Sequence, residues 1–322
     1  MYVVYLDQNK WIDLARAFHG RTTDSELKSA FKFVWRLASQ EKVAFPLSFV
    51  HYMETAKTTN HERRKRLGEA MWEVSGGRTM ASHRQIMRYE VESTLAKRFP
   101  DVTPRDFRLV SRGVAHAFDG QFAYQIPDEL RREIPTKQAE KLESELQNVL
   151  EKAAITGEGP GGIRMPSPSF SQPNERFKEH LKTLPQRAST LSSSKREDFL
   201  HAIALDNIQE PVKEALEFHG LSWERDLLPL GKEELTSLVQ DMPSRKTEIH
   251  LHRQIIKNPN LKPKDNDLED WSALGPATAR CDVVVCEKHF ASLLQRDGFQ
   301  PNAHVITNVR KLPEVLQGTF SL

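Results

Sequence analysis

The sequence has few of the features that mark secreted, disulfide-linked or membrane-spanning proteins. Its 322 residues include only two cysteines, Cys281 and Cys286. Two cysteines are too few for a disulfide scaffold or a four-cysteine zinc site, and they fit a reducing compartment. No apolar run approaches the roughly 20 residues of a membrane span, and the first residues lack the basic and apolar segments of a signal peptide. We therefore expect a soluble cytoplasmic protein without a signal peptide.

An excess of charge of one sign is also lacking. The 46 Lys and Arg residues are nearly balanced by 44 Asp and Glu residues, which leaves a net charge of +2. A field that attracts polyanions over the whole surface is therefore excluded, and any nucleic-acid groove must be a local patch. The sequence also lacks a glycine-rich phosphate loop and the GxSxG motif of serine hydrolases. Hydrophobic residues make up 38 % of the chain, enough for a sizeable core.

The first third of the chain alternates between strand and helix patterns. Residues 3–6 and 43–45 are short apolar runs typical of buried strands. The apolar positions of residues 11–18 fall on one face of a helix. The predicted helix starts are a capping box of Thr23 with Glu26, before a helix to about residue 38, and an N-cap at Ser48. This alternation favours a parallel sheet with helices on its faces.

The middle of the chain differs from both ends. Residues 76–240 show helical patterns without a convincing strand, and a Gly-, Pro- and Ser-rich loop is predicted near residues 156–174. Residues 241–322 return to alternation, with the strands DVVVC and AHVIT between helices. We therefore predict a discontinuous α/β domain of residues 1–75 and 241–322, interrupted by a large all-helical insertion of residues 76–240.

Acidic residues accompany the predicted strands in both α/β segments. Asp7 ends the first strand, Glu54 lies about one and a half turns into the helix after the second strand, and Glu287 follows the VVV strand. Sites in open α/β sheets form at the carboxyl ends of the strands, so these three acids are predicted to share one edge. Asp267 and Asp270, three residues apart at a helix start, can point to one side. Clustered carboxylates repel one another, and Mg²⁺ or Mn²⁺ relieves the repulsion.

Each acid also has an ordinary structural interpretation. Acidic side chains near helix N-termini complement the helix dipole, which would fully explain Asp267, Asp270 and Glu287. Asp7 is harder to explain in this way, because it directly ends an apolar strand. The expected shared edge, rather than the spacing, favours a metal site.

Four stretches, in their order along the chain, resemble the motifs of PIN-domain nucleases. They are VVYLDQNKWIDLA, PLSFVHYMET, NDLEDWSALGPATARCDVVVCEKHF and HVIT. The residues between the two α/β segments have no counterpart in a minimal PIN domain and look like the insertion of a larger bacterial PIN-like branch. The resemblance implies a three-layer sandwich with a central, mainly parallel sheet, and a metal-dependent nuclease that cleaves mostly RNA.

The resemblance also implies roles for individual residues. Asp7 matches the metal ligand of the first strand, and Glu54 matches the second acid. Asp270 matches the acid at the start of the helix before the fourth strand, with Asp267 beside it. Glu287 stands where the family usually has an aspartate, and its longer arm would reach a metal through water.

Further polar residues surround these motifs. Hydrogen bonds from nearby side chains orient metal ligands. The candidates for this supporting role are Asn9, Asn266, Thr307 and Asp282. Asp282 has a second interpretation, as a strand-start residue that faces away from the site. Cys286 and Val285 stand where the family often has a threonine.

Two basic stretches are candidates for contacts with phosphate groups. We predict such contacts for Arg245, Lys246 and Arg253, because their stretch lies just upstream of Asp267. The stretch HERRKR, residues 61–66, is instead interpreted as a solvated helix face.

The resemblance therefore implies a Mg²⁺- or Mn²⁺-dependent endoribonuclease that leaves a 3′-hydroxyl and a 5′-phosphate. Such enzymes often act as bacterial toxins or in phage defence. RNA is the expected partner, and a regulatory protein and a second copy of the chain stay open as further partners. The alternatives are a nuclease for single-stranded or flapped DNA, and a non-catalytic RNA-binding or scaffold protein of the same fold. In a third alternative, the middle region is a protein-interaction module, and the partner protein that it binds supplies specificity.

Overall fold

The computed structural model describes residues 1–120, 124–159, 161, 171–258 and 267–320, without the side chains of residues 171–174 and 267. The fold is mixed α/β and mainly helical, with a small, mainly parallel four-stranded sheet. The predicted α/β class is therefore confirmed, while the three-layer PIN-like sandwich stays a prediction. None of the helices described is long and apolar enough to cross a bilayer.

The described residues form six β-strands and sixteen α-helices. The strands are β1 Tyr2–Leu6, β2 Val43–Ala44, β3 Arg78–Met80, β4 Val110–Arg112, β5 Val283–Val285 and β6 His304–Ile306. The first eight α-helices are α1 Gln8–Phe18, α2 Ser25–Ser39, α3 Phe49–Ala56, α4 His61–Ser75, α5 His83–Leu95, α6 Val114–Phe118, α7 Asp128–Glu133 and α8 Thr136–Thr156. The others are α9 Ser171–Ser189, α10 Ser193–Asp206, α11 Gln209–Phe218, α12 Gly231–Gln240, α13 Pro243–Lys257, α14 Asp267–Arg280, α15 Lys288–Gln295 and α16 Leu312–Gln317.

The chain divides into two compact units that differ from the predicted domains. Unit 1 comprises Met1–Ser82, Val110–Ser169 and Asn308–Leu322, and unit 2 comprises His83–Leu109 and Phe170–Thr307. The predicted boundaries, 1–75 and 241–322 against 76–240, cut through both units. Each unit therefore contains parts of the predicted α/β domain and parts of the predicted insertion.

Helix packing explains this difference. Helix α8 belongs to the predicted insertion, but it packs against α3 and α4 of unit 1. Helices α13 and α14 belong to the predicted α/β domain, but both pack against α9 of the predicted insertion in unit 2. The sequence pattern identifies the apolar face of each helix, whereas the partner of that face depends on the tertiary fold.

Unit 1 begins with a buried parallel strand pair. Strand β1 pairs with β2 in the register Tyr2 with Val43 and Val3 with Ala44. The side chains of Tyr5 and Leu6, which point to opposite faces of the strand, are both buried, which suits a strand covered on both faces. Unit 1 also contains the antiparallel pair of β3 and β4. These two short strands correct the prediction of an all-helical insertion, since both lie between residues 76 and 240.

Two local predictions can be compared with the structure. The cap of α2 is Asp24, which accepts a hydrogen bond from the Leu27 amide at 2.9 Å, so the predicted Thr23 capping box was wrong. The loop predicted near residues 156–174 ends earlier, because α9 begins at Ser171; residues 160 and 162–170 of that loop lie outside the described residues.

Unit 2 combines a parallel strand pair with a helical core. Strands β5 and β6 are parallel, with Val283 beside His304 and Val285 beside Ile306. Apolar side chains of α5, α10, α11, α12 and α13 form one buried cluster. Strand β5 is fully buried at all three positions, as expected for the predicted VVV strand.

Candidate active site

The first predicted metal ligand, Asp7, lies between β1 and α1. It is the N-cap of α1, and its carboxylate accepts a hydrogen bond from the Gln8 amide at 2.7 Å. The residue is only 8 % exposed. A buried carboxylate at the carboxyl end of a strand agrees with the position predicted from the sequence.

Gln8 connects the start of α1 to the helix that carries Glu54. Its Nε2 donates a hydrogen bond to Oγ1 of Thr55 at 2.9 Å, and Thr55 directly follows Glu54 on α3. The Thr55 hydroxyl in turn donates to Sδ of Met71 at 3.7 Å. Because the Thr55 hydroxyl donates its only proton to Met71, its oxygen acts as the acceptor of the hydrogen bond from Gln8 Nε2. The Gln8 side chain therefore fixes the segments of both acids relative to each other.

A buried histidine makes a second connection between β1 and α3. His51 Nε2 donates to the carbonyl oxygen of Leu6 at 2.8 Å, and Nδ1 accepts from the Ser48 amide at 2.8 Å. Its ring stacks on Tyr5 with centroids 5.1 Å apart. Burial lowers the pKa of His51 to about 4, so the imidazole is neutral at physiological pH. The predicted Ser48 cap is confirmed, and His51 is the packed histidine of a capping box, one turn before Glu54.

Gln8 also carries an oxygen that the predictions did not include. Its Oε1 is buried and has no hydrogen-bond partner within the described residues. Amide oxygens are hard ligands of the kind that Mg²⁺ and its bound waters prefer. A glutamine after an acid is common, so only the burial and the missing partner distinguish Gln8, and neither can be read from the sequence.

Two predicted residues of unit 2 lie at one edge of a strand pair. Glu287 is the N-cap of α15 and follows β5, while Thr307 directly follows β6. The in-register parallel pairing brings the carboxyl ends of both strands to the same edge. Asp282 precedes β5 and therefore lies at the opposite end of that strand. Its position supports the alternative interpretation of Asp282 as a strand-start residue.

The other predicted site residues have varied positions. Asp270 is partly buried on α14, and Asn9 is exposed on α1. Asn266 and the side chain of Asp267 lie outside the described residues. Asp7 and Glu54 belong to unit 1, whereas Asp270 and Glu287 belong to unit 2, so the convergence of all four acids stays a prediction. Apart from residues 259–266 and the other undescribed positions, no three His, Cys, Asp or Glu residues are grouped to hold a metal ion.

The predicted phosphate-contacting residues have different surroundings. Arg245 is 5 % exposed and pairs with Glu248. Arg253 makes two hydrogen bonds to Glu197, at 2.8 and 2.7 Å, whereas Lys246 is exposed. Of these three cations, Lys246 is the most exposed, whereas Arg245 and Arg253 are paired with carboxylates.

A basic cleft lies between α1 and α4 in unit 1. We call it the arginine cleft; its volume is about 510 Å³, and its polar lining residues are Arg16, His19, Arg21, Asn60, Arg63 and Arg66. The sequence analysis interpreted residues 61–66 as a solvated face and did not select Arg16 or Arg21. These positions are about 45 residues apart in sequence and meet only because α1 packs on α4.

Comparisons with known proteins do not identify a family. No protein-family model, curated protein or solved structure matches the chain. The likeness to PIN-domain nucleases therefore depends on the four sequence stretches given above.

Proposed function

We propose that the protein is a metal-dependent endoribonuclease. The observation that carries this proposal is the double clamp around Asp7 and Glu54. Gln8 joins the start of α1 to Thr55, and His51 joins α3 to the end of β1. Neither of these two hydrogen bonds involves the carboxylate of Asp7 or of Glu54. The segments that carry the two acids are therefore positioned by Gln8 and His51. Such preorganisation is what a metal site requires.

The side chains of unit 1 suit a hard divalent cation. Mg²⁺ in enzymes is commonly held by one or two carboxylates, with waters and substrate phosphates completing its coordination. We propose that Asp7, Glu54 and Oε1 of Gln8, which has no hydrogen-bond partner within the described residues, would supply these oxygens. Bound Mg²⁺ or Mn²⁺ would stabilise charge on the phosphodiester and favour ionisation of a water. Asp270 and Glu287 are the proposed additional acids.

The residues of this chain then have distinct tasks. The acids would orient a water and accept its proton as it attacks phosphorus. The bond between phosphorus and the 3′ oxygen breaks, and the 3′ oxygen takes up a proton from solvent, so the products carry a 3′-hydroxyl and a 5′-phosphate. The neutral His51 ring holds the backbone of Leu6 and does not exchange protons with the substrate. The arginine cleft supports the choice of a nucleic acid, because it concentrates positive charge on a chain with a net charge of only +2. The family resemblance would place the enzyme among toxins or phage-defence effectors.

The direct test is cleavage of 5′-labelled RNA and DNA strands of mixed sequence in Mg²⁺, Mn²⁺ or EDTA. We expect the wild type to cut RNA only with metal, and Asp7→Asn to lose at least about 100-fold in rate, as expected when a metal ligand loses its charge. Asparagine can still cap α1, so the fold is retained. Asp128→Asn, at an exposed acid of α7, is the matched control and keeps the wild-type rate.

The other outcomes separate the alternatives. Cleavage of DNA in preference to RNA would favour the single-strand or flap DNA nuclease. A folded wild type that binds RNA without cutting it in either metal would overturn the enzyme and favour a non-catalytic RNA-binding or scaffold protein.

A further inference from the structure

Unit 2 contains a second cavity, formed by α5, α9, α13 and α14. Its volume is about 230 Å³. The floor is buried and includes Ser244, Arg245 and Leu251, while Asn207 lies exposed at the rim. A cavity with a buried floor and an open rim can admit a small molecule from solvent. We call it the α14 pocket.

The charges at the floor of the α14 pocket cancel. The guanidinium of Arg245 pairs with the carboxylate of Glu248, and its Nη2 lies 3.2 Å from Nε2 of His83. Burial and the adjacent Arg245 lower the pKa of His83 to about 4, so this ring is neutral and its Nε2 accepts from Arg245. One positive and one negative charge remain, which gives no net attraction for a phosphate or a carboxylate.

The pocket nevertheless offers unused hydrogen-bonding groups. Nε of Arg245 is buried and has no hydrogen-bond partner in the described parts of the chain. Asn207 donates from Nδ2 to Oε1 of Glu248 at 3.2 Å, and its carbonyl oxygen is an acceptor at the rim. A donor at the floor and an acceptor at the rim suit a ligand that has both kinds of group.

Helix α14 supplies an aromatic wall and open space. Trp271 contacts Phe177 edge to face, with centroids 5.5 Å apart. A Cβ atom added at Gly275 would meet no atom within 4 Å, so this part of the wall is empty. Pro276 has no N–H to donate to the Ser272 carbonyl one turn earlier, which leaves a backbone acceptor at the lining residue Ser272.

We propose that the α14 pocket binds a nucleobase. A base is uncharged and planar, and it carries both donors and acceptors at its edge. Aromatic side chains of RNA-binding proteins stack on such rings. The volume is adequate, because a cavity of about 150 Å³ already accommodates benzene. Trp271 directly follows Asp270, so the pocket would hold a base beside the cut; that placement, unlike the binding itself, rests on the proposed nuclease function.

The test measures binding without metal or cleavage. Calorimetric titrations would use adenosine, guanosine, cytidine and uridine, with ribose 5-phosphate as a ligand that lacks the base. We expect at least one nucleoside to bind and ribose 5-phosphate not to bind. Gly275→Leu fills the pocket and should weaken binding roughly tenfold or more, since the ring no longer fits. Gly318→Leu, at the C-cap glycine of α16 that also has no atom within 4 Å, should leave it unchanged.

A second blocking variant and the cleavage pattern complete the test. Ser272→Phe should also abolish binding, which guards against misfolding of Gly275→Leu; far-UV circular dichroism would verify both folds. Failure of every nucleoside to bind the wild type would overturn the pocket, even if RNA is cut. Binding by a wild type that cuts no RNA would retain the pocket and reject the nuclease. If RNA is cut, Gly275→Leu should lose base preference next to the cut, and an unchanged pattern would overturn that placement in favour of a free nucleoside.

Discussion

The two polar groups of the Gln8 side chain differ in their surroundings in the buried region where α1 begins. Its amide nitrogen donates a hydrogen bond to Thr55 of α3. Its amide oxygen has no hydrogen-bond partner among the described residues. A buried acceptor without a partner is unfavourable by about 1–3 kcal/mol. A bound cation or its water would remove this penalty, so Gln8 links the stability of the fold to the proposed metal site.

We predict that Gln8→Leu has little effect on stability without metal but a large effect on the proposed metal-dependent cleavage. The leucine side chain fills a similar volume, so the free energy of unfolding without metal should change by less than about 1.5 kcal/mol, because one hydrogen bond and one unpartnered acceptor disappear together. The proposed metal-dependent RNA cleavage should fall by roughly 10- to 100-fold at limiting Mg²⁺, which is the effect expected of a residue that positions a metal. Urea unfolding with EDTA and a Mg²⁺ titration of the cleavage rate measure the two effects.

Gln138 on α8 provides the matched control, because its side chain is exposed. Gln138→Leu should leave both the unfolding free energy and the Mg²⁺ titration unchanged. An unchanged Mg²⁺ dependence in Gln8→Leu would show that the amide oxygen has no role in metal binding. A large loss of stability in EDTA would instead assign the residue to the fold alone.

Among the elements, α4 and α8 make a close backbone contact that depends on a glycine. A Cβ atom at Gly68 would lie 2.6 Å from Cα of Thr156 and 2.8 Å from the Ile155 carbonyl oxygen. Both are backbone atoms, so no side-chain rotation can relieve the overlap. Helix α8 must therefore approach α4 at this glycine, and this contact holds part of the predicted insertion within unit 1.

We predict that Gly68→Ala destabilises the protein, although glycine to alanine in a helix is ordinarily stabilising by roughly 0.5–1 kcal/mol. Forcing α8 away from α4 should lower the free energy of unfolding by about 1–3 kcal/mol. The expected change in the free energy of unfolding is therefore opposite in sign to the usual effect of glycine to alanine in a helix. Thermal and urea unfolding of Gly68→Ala and of Gly318→Ala would be compared, since Gly318 has open space around it. Equal or greater stability of Gly68→Ala would mean that α4 and α8 are not packed as described.

The elements that could be predicted from the sequence are those with a strong local pattern. Strands β1 and β5 are continuous apolar runs, and α8 has a long amphipathic repeat. The pair of β3 and β4 was missed, because each strand has only three residues and includes an arginine. The Thr23 and Asp24 positions differ by one residue, and local sequence does not decide which side chain reaches the amide of Leu27.

The candidate site was predictable to a similar extent. Asp7 and Glu54 could be selected because strand ends and helix starts can be recognised from local sequence. Gln8 Oε1 and the arginine cleft could not be, because burial and the packing of α1 on α4 arise from long-range contacts. The same reason accounts for Arg245, whose basic stretch predicts a phosphate contact, while the structure buries it against Glu248.

Over the whole molecule, three histidines share one physical state. Burial lowers the pKa of His51, His83 and His252 from 6.5 to about 4 in each case. His51 lies in unit 1, and the other two lie in unit 2. All three are therefore neutral in the folded protein at physiological pH, and both units should respond to acid in the same direction.

We predict that the free energy of unfolding falls as the pH decreases from about 6.5 towards 4. In this window the unfolded chain binds protons that the folded histidines do not accept, so acid favours unfolding; the effect is on the order of 3 kcal/mol for each histidine. Carboxylates with lowered pKa, such as those of Asp24 and Asp297, lose their contribution only at lower pH. Urea unfolding between pH 7 and pH 5 therefore reports mainly on the histidines.

Substitution of one histidine makes this prediction specific. His51→Gln removes one of the histidines whose pKa is lowered by burial, so the decrease of the unfolding free energy per pH unit should be smaller by about 1.4 kcal/mol, the contribution of one proton. His304→Gln is the matched control, because His304 is an exposed histidine on β6. A wild type whose stability is constant from pH 7 to pH 5 would contradict the burial of these rings. If the slope of unfolding free energy against pH is unaltered in His51→Gln, the burial of His51 in unit 1 would be contradicted. The hydrogen bond by which His51 joins α3 to the end of β1 would then be contradicted as well.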